Sequence, residues 1–583
     1  MNSSGEGTGD YPPPLQGDWI ITSDTYVQNE NITLSRNITI QDGVKLTLDN
    51  VTLIINASNY GNARITVKNG GEFIIINNSA IMEGETQVNY DFMFENGSRG
   101  LIQKSTIKDC GWNDGGTWQS TGGILIMSDD VIIENSTIRN SYIGILIISS
   151  SPIIRFNVIN DNLKYGVFLV NDSAQIIGNE IAFNPVGLYS LYSEFTLSEN
   201  EILDNGDGVR IYYSNIYMDE DQISSNDRDD CSSGTCGPTE SGKGIYIEDS
   251  NVSMSNVGIS GNSDDGLVAH YSRLDIQNST FSGNLGDGIE GYYSEANLKN
   301  NIFDDNSDYG IQWRYTSLEV DGTNTFPQNN GLGRIIQEWE VNVEITDSYG
   351  DEVFQASIEF EGNGTTYTTT SIVGIAKEAI AEYEMANDGS HIDHNPYTIT
   401  AKKTAPWDGI EYSNSTVMDI RGNTLINMSI PLEKPDLKVE SIDFSETPKV
   451  GSEVKIKVKI SNIGDALANN VSIIITQKNS FGKTNVIKKT TFSIYSDEEK
   501  VVSIDWIPEQ EGEAVIKVVV DNTKNVNEKD EENNEIEKIV NVQEKDVPFY
   551  EERYFLAGLI SFLFILAGLV IYILALGKKM VEK

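Results

Sequence analysis

The chain of 583 residues is too long for one hydrophobic core and implies several domains. Its 87 acidic against 41 basic residues give a formal net charge of −46, which excludes nucleic acid as a partner. The acidity reads as a solvated surface suited to salty surroundings. Residues 1–16, MNSSGEGTGDYPPPLQ, are polar and proline-bearing and are expected to form a disordered lead-in. No signal peptide is visible in them, as in a mature or truncated form or behind a misassigned start.

Residues 17–334 read as one winding domain, with capping coils over 17–100 and regular repeats over 123–330. The first part alternates apolar and polar residues with Asn/Gly turns, as in NITLSRNITIQDGVKLTLDNVTLII. Trp112 and Trp118 follow on an inserted loop that suits either sugar stacking or attachment to the domain's side. A phrase of about 22 residues then recurs, as in NSTFSGNLGDGIEGYYSEANLK and NNIFDDNSDYGIQWRYTSLEVD. A glycine recurs at Gly123, Gly144, Gly166, Gly187, Gly208, Gly244, Gly266, Gly288 and Gly310. A turn asparagine recurs at Asn140, Asn162, Asn184, Asn205, Asn226, Asn262, Asn284 and Asn306, and is expected to hold a left-handed backbone. About 14 extra residues between Asn226 and Gly244 carry Cys231 and Cys236, which could close a small local disulfide and favour an oxidising compartment. Cys110 is expected to be a buried free thiol. Period-2 apolar doublets at +1/+3 and +8/+10, with a third point near +15, give three short strands per repeat. A fixed period of this size marks a solenoid, whose repeats bury their apolar faces against each other.

The motif N-x-(I/F)-x-x-N-x-x-x-G-(I/L/V) resembles the right-handed parallel β-helix of pectate-lyase-like and NosD-like proteins, and the opening coils resemble archaeal surface proteins. The coil fixes architecture and leaves activity open. The repeat register aligns Tyr192, Tyr213, Asp249, Tyr271, Tyr293 and Tyr315 in one column, and Tyr212, Glu248, His270, Tyr292 and Arg314 in the next. From these, Tyr213, Tyr271, Tyr292, Tyr293, Tyr315, His270 and Arg314 are the candidate ligand-binding residues for an extended polysaccharide. A self-stacking ladder is the bland alternative. Asp207, Asp265 and Asp287 form a third column. Asp265 and Asp287 are the candidate catalytic pair if the chain is a polysaccharide lyase or hydrolase. Ordinary Asp-Gly turns account for them equally, and catalysis is not expected.

Residues 335–434, from WEVNVEITDSYGDEVF onward, form a β-sandwich resembling carboxypeptidase-regulatory modules. Its GSHIDHNP holds His391, Asp393 and His394, which read as a polar loop rather than a metal site. Residues 435–545 resemble CARDB, a cell-adhesion-related sandwich. The resemblance rests on the PDL start, Ser461–Gly464, Trp506 with Pro508, and the acidic end from Asp521. Asp521, Glu528, Asp530 and Glu531 offer oxygen ligands that suit calcium, though a solvated acidic hairpin explains them as well. No other cofactor is expected. After a linker over 546–555, residues 556–576 carry no charge over a length that spans a bilayer, and the tail 577–583 is lysine-bearing. The expected fold class is therefore all-β, with a right-handed parallel β-helix, two β-sandwiches and one transmembrane helix. The expected role is adhesion or envelope contact at the cell surface. The cytoplasmic tail is short, and the partners are the membrane, polysaccharide or other surface proteins. A structural envelope component and a NosD-like accessory factor are the remaining readings.

Overall fold

Each winding repeat carries three apolar points, and each point becomes a strand. The computed structural model describes residues 6–112, 122–227, 242–328, 330–545 and 549–580. In the winding domain the strands stack into three parallel sheets. The front sheet includes Ile245–Glu248, Leu267–His270, Ile289–Tyr292 and Tyr309–Arg314. The flank sheet includes Asn251–Ser255, Arg273–Gln277 and Glu295–Lys299, and the back sheet Gly258–Ser260, Thr280–Ser282 and Ile302–Asp304. Ile245, Leu267, Ile289 and Ile311 pair in register and fill the interior. Burying each such side chain contributes about 1.5–3 kcal/mol. At the front strand's start, a Cβ on Gly266 would meet the Gly288 carbonyl oxygen at 2.6 Å, and close coil contact therefore requires glycine there.

Most corners follow one rule, with Val51 and Val257 among the exceptions. A left-handed residue throws its side chain outward, and the next residue points a polar side chain inward. At the corner leading to the front sheet, Asp161, Phe183, Asp204 and Ser225 have φ of 54–56°, and Asn162, Asn184, Asn205 and Asn226 are buried behind them. The expectation that the ladder asparagines are themselves left-handed is thus corrected: the turn belongs to the residue before each. Asn140, at φ 56°, is such a predecessor, and Ser141 holds its ladder place, donating its N–H to Asn162 Oδ1 at 3.0 Å. Burial explains the division. An inward amide must satisfy buried backbone groups, and stacked amides do so for each other.

Two expected boundaries move. Glu6–Gly7 pairs antiparallel with Val27 and Gln28, and the Asp10 carboxylate accepts the backbone N–H of Thr22 at 2.6 Å and of Ser23 at 2.9 Å. Residues 6–16 are thus not a disordered lead-in but a cap, since the first coil's exposed edge needs partners. At the other end, the strand Gly333–Asp347 pairs with Tyr309–Arg314 of the last coil, then with Thr424–Ile430 and Ile375–Met385 of the sandwich. The expected break at 334/335 falls inside one continuous strand.

A second sheet, from Thr365–Thr370 to Glu411–Met418, completes the first sandwich, and Leu437–Val542 form the next. One apolar cluster runs through both. Lys434, 1% exposed, sits at their junction with Nζ 2.6 Å from both Asp347 and Asp351. The helix Phe549–Met580 contains Tyr554–Leu576, a span of 23 residues with mean hydropathy 2.9 and no burial, long and apolar enough to cross a membrane. Cys110 is a buried free thiol. Cys231, Cys236 and Trp118 lie outside the described residues, and Trp112 stacks on Tyr60 with centroids 5.5 Å apart.

Candidate functional site

The corner between front and flank sheets carries the first column. Tyr192, Tyr213, Asp249, Tyr271, Tyr293 and Tyr315 all hold φ between 47° and 72°. Each donates its N–H to the next coil, among them Tyr213 to Glu248 O at 3.1 Å, Asp249 to His270 O at 3.1 Å and Tyr271 to Tyr292 O at 3.0 Å. The side chains therefore project outward, one per coil. Tyr192 and Tyr213 stack at 5.0 Å and 17°, and Tyr271 and Tyr293 at 5.1 Å and 4°. Tyr293 meets Tyr315 at 4.7 Å. Tyr192, Tyr213 and Tyr271 remain 59%, 47% and 58% exposed. The Tyr293 hydroxyl is bonded to Glu340 of the sandwich, and burial together with that carboxylate pushes its phenol up to about 12.

Beside this column the flank sheet is hollowed. One hollow of about 360 Å³ is lined by Asp249, Asn251, Tyr271, Arg273, Tyr293 and Glu295. A second of about 360 Å³ continues past Asn297 to Glu319, and a third of about 550 Å³ lies over Gln175, Thr196, Asn215 and Tyr217. Arg273, the cation of the first two, is paired with Glu295 at 3.0 Å.

The front sheet brings the second column together. Tyr212, Glu248, His270, Tyr292, Arg314 and Glu338 share one register. His270 stacks on Tyr292 at 4.5 Å, and the Arg314 guanidinium lies 5.0 Å from the Tyr292 ring centre. Arg314 also binds Glu290 and Glu338, each at 2.7 Å. Burial lowers the His270 imidazole and raises the Glu290 carboxyl. Glu290, Lys243, Tyr246 and Glu338 were missing from the sequence reading. For Glu290 and Tyr246 the signal was the position two after the glycine, which the strand alternation also turns outward; Lys243 lies just before its glycine and Glu338 beyond the last repeat. Glu290 and Glu338 thus hold Tyr292 and Arg314, whereas His270 is held by stacking between Tyr246 and Tyr292. Tyr292 also meets Tyr315 of the tyrosine corner at 6.2 Å.

Asp265 and Asp287 are 8% and 4% exposed. Asp265 Oδ1 accepts the Asp287 N–H at 2.8 Å, and Asp287 Oδ1 accepts the Tyr309 N–H at 2.7 Å. Burial, with Asp265 and Glu290 nearby, pushes the Asp287 carboxyl up to about 8. Each carboxyl ties one coil to the next, which accounts for the column without a substrate.

In the second sandwich the Asp521 carboxylate accepts the Val526 N–H at 2.9 Å, and Glu528 accepts Leu437 N–H at 2.6 Å and Asn534 Nδ2 at 3.0 Å. Asp530 accepts the Glu532 N–H and Glu531 the Glu528 N–H, at 2.8 and 3.1 Å. These oxygens staple the loop. His394 is buried against Asn363 O at 2.9 Å, His391 stacks on Tyr383, and Asp393 pairs with Arg421. Among the described residues no group of three or more His, Cys, Asp or Glu is placed to hold a metal ion.

The family described as the right handed beta helix region matches residues 20–181 and 165–330, and CARDB matches 434–538. No curated protein matches the chain. Among solved structures, a CARDB domain from Pyrococcus furiosus in complex with di-metal ions is similar at 29% identity, covering 20% of this chain and 98% of that one, with a TM-score of 0.18. The A-module of the mannuronan C-5 epimerase AlgE4 from Azotobacter vinelandii is similar at 15% identity over 53% of this chain and 85% of its own, TM-score 0.25. The enzymatically active domain of tailspike protein 2 from bacteriophage CBA120 is similar at 10% identity, over 88% and 73%, TM-score 0.27.

Proposed function

The chain belongs to the right-handed β-helix family and ends in a membrane-type helix, and from that premise we propose that it is a surface protein whose head binds extended polysaccharide along the tyrosine corner without cleaving it. The carrying observation is the run of exposed, near-parallel tyrosines beside hollows on one flank. Aromatic faces bind the C–H faces of sugars, and a solenoid repeats them at a nearly constant spacing. Two sandwiches continuous with the last coil serve as a stalk. Lys578, Lys579 and Lys583 support a short cytoplasmic tail with the rest of the chain outside. Protease added to intact cells is expected to remove most of the chain, and cleavage of the lysine tail alone would reverse this orientation.

Binding is tested with the full chain in detergent micelles against soluble polysaccharides, while reducing ends are followed. Tyr271→Ala is expected to weaken binding severalfold at a stability cost of about 0.5–1.5 kcal/mol beyond burial. Loss of stability without loss of binding would leave the column as a structural ladder. Release of reducing ends that stops in Asp265→Asn or Asp287→Asn would make the protein an enzyme. Failure to bind any polysaccharide would favour a protein partner or an envelope component.

A further inference from the structure

The tyrosine column has one rung that is not a ring. Between Tyr213 and Tyr271 stands Asp249, with the same left-handed turn and the same coil-to-coil hydrogen bond. Tyr213 stacks on Tyr192 and Tyr271 on Tyr293, so the ring faces turned toward Asp249 have no aromatic neighbour. Two coil steps of about 4.8 Å set those faces about 9.6 Å apart. A six-membered ring seated about 4.8 Å from each face fills such a gap, close to the spacing that the column's own tyrosines keep. Asp249 is exposed and lines the hollow that runs on to Asn251 and Arg273.

We propose that the missing rung is a slot for a single uncharged hexopyranose unit, held between Tyr213 and Tyr271 with its hydroxyls donating to the Asp249 carboxylate. This rests on the reading of the corner as a polysaccharide site and adds its register and substrate class. A carboxylate accepts paired hydroxyl bonds that are stronger than neutral ones. The same carboxylate, with Glu248 beside it and Arg273 already paired to Glu295, repels a uronate. The phenol of Tyr213 already feels this charge, which raises it above its ordinary range. The slot therefore selects neutral chains over acidic ones.

Asp249→Tyr tests the slot directly, because it completes the stack. The full chain is titrated with a soluble neutral glucan and with polygalacturonate, and melting is followed in parallel. Asp249→Tyr is expected to leave or raise the melting temperature and to weaken glucan binding at least tenfold. Asp249→Asn, which keeps the fold and the gap, should weaken it severalfold, and Phe481→Ala, an exposed ring on the second sandwich, less than twofold. Unchanged or tighter binding by Asp249→Tyr would sink the slot and leave the outer tyrosine surface as the site. Preference of the wild type for polygalacturonate would overturn the substrate class. If the wild type binds neither polymer, the polysaccharide reading itself falls, and the slot with it.

Discussion

Replacing Asn205 by leucine is expected to destabilise the β-helix by about 4–6 kcal/mol, since each buried polar group left unpaired costs about 1–3 kcal/mol. Asn205 is fully buried. Its Oδ1 accepts both the N–H and the Nδ2–H of Asn184, each at 3.0 Å. Its Nδ2 donates to Ile181 O at 2.8 Å, Leu203 O at 3.0 Å and Asn226 Oδ1 at 3.2 Å. Leucine matches the volume and makes none of these bonds, so Asn184, Asn226 and two carbonyls lose partners in a dry corner. Because solenoid repeats contact only their neighbours, the damage should spread as local opening of adjacent coils rather than as global loss. Hydrogen exchange should show lost protection centred on the coils of Asn184 and Asn226. The exposed Asn251, whose amide donates only to Asn215 Oδ1 at 2.8 Å, provides the contrast: Asn251→Leu should cost under about 0.5 kcal/mol. Equal costs at the two positions would show that the inward ladder does not hold the corners.

The period, the three-strand coil and the columns were legible because register is strict: one inserted residue would turn every side chain to the opposite face. Tyr213, Tyr271 and Tyr293 align for that reason. The corner rule was only half legible. Asparagine favours both left-handed turns and side-chain ladders, so Asn162 and Asn205 were assigned the backbone role that Asp161 and Asp204 perform. The fate of the second column was illegible, because Glu290 comes from the neighbouring outward position and Glu338 from the strand beyond the last repeat, and only three-dimensional packing sets both against Arg314. The strand Gly333–Asp347 escaped notice for a related reason: loss of the repeat marks where the sequence pattern ends, not where the sheet does. Asp221 was missed as well. Its place in the third corner's ladder emerges only when Asn157, Asn179 and Asn200 are seen stacked behind it.

That position carries the largest expected gain. Asp221 Oδ1 accepts both the N–H and the Nδ2–H of Asn200 at 2.9 Å, while Oδ2 is buried without a hydrogen-bond partner. The next coil offers Val257, which has no side-chain donor, and Asp219 adds a like charge nearby. Burial pushes the carboxyl from 3.8 up to about 7. The folded state thus holds its proton more tightly than the unfolded chain does. The contribution is fully present below about pH 4, is lost as pH rises to about 7, and is flat above. Roughly three pKa units at about 1.4 kcal/mol each set an upper limit of about 4 kcal/mol lost by pH 8. Asp172, raised by burial to about 7, and Asp287 and Glu528, each raised to about 8, add slopes of the same sign. Asp221→Asn removes the ionisation and supplies an amide for the Leu197 carbonyl, as Asn200 does for Ile176 at 2.8 Å. At pH 8 the variant should be more stable by up to about 5 kcal/mol, the ionisation cost removed plus the added hydrogen bond. At pH 4 the difference should shrink to the roughly 1 kcal/mol of one added hydrogen bond. Denaturant melts of both proteins at pH 4, 6 and 8 measure that difference directly. A gain independent of pH would mean that the carboxyl is already satisfied and charged in the folded coil.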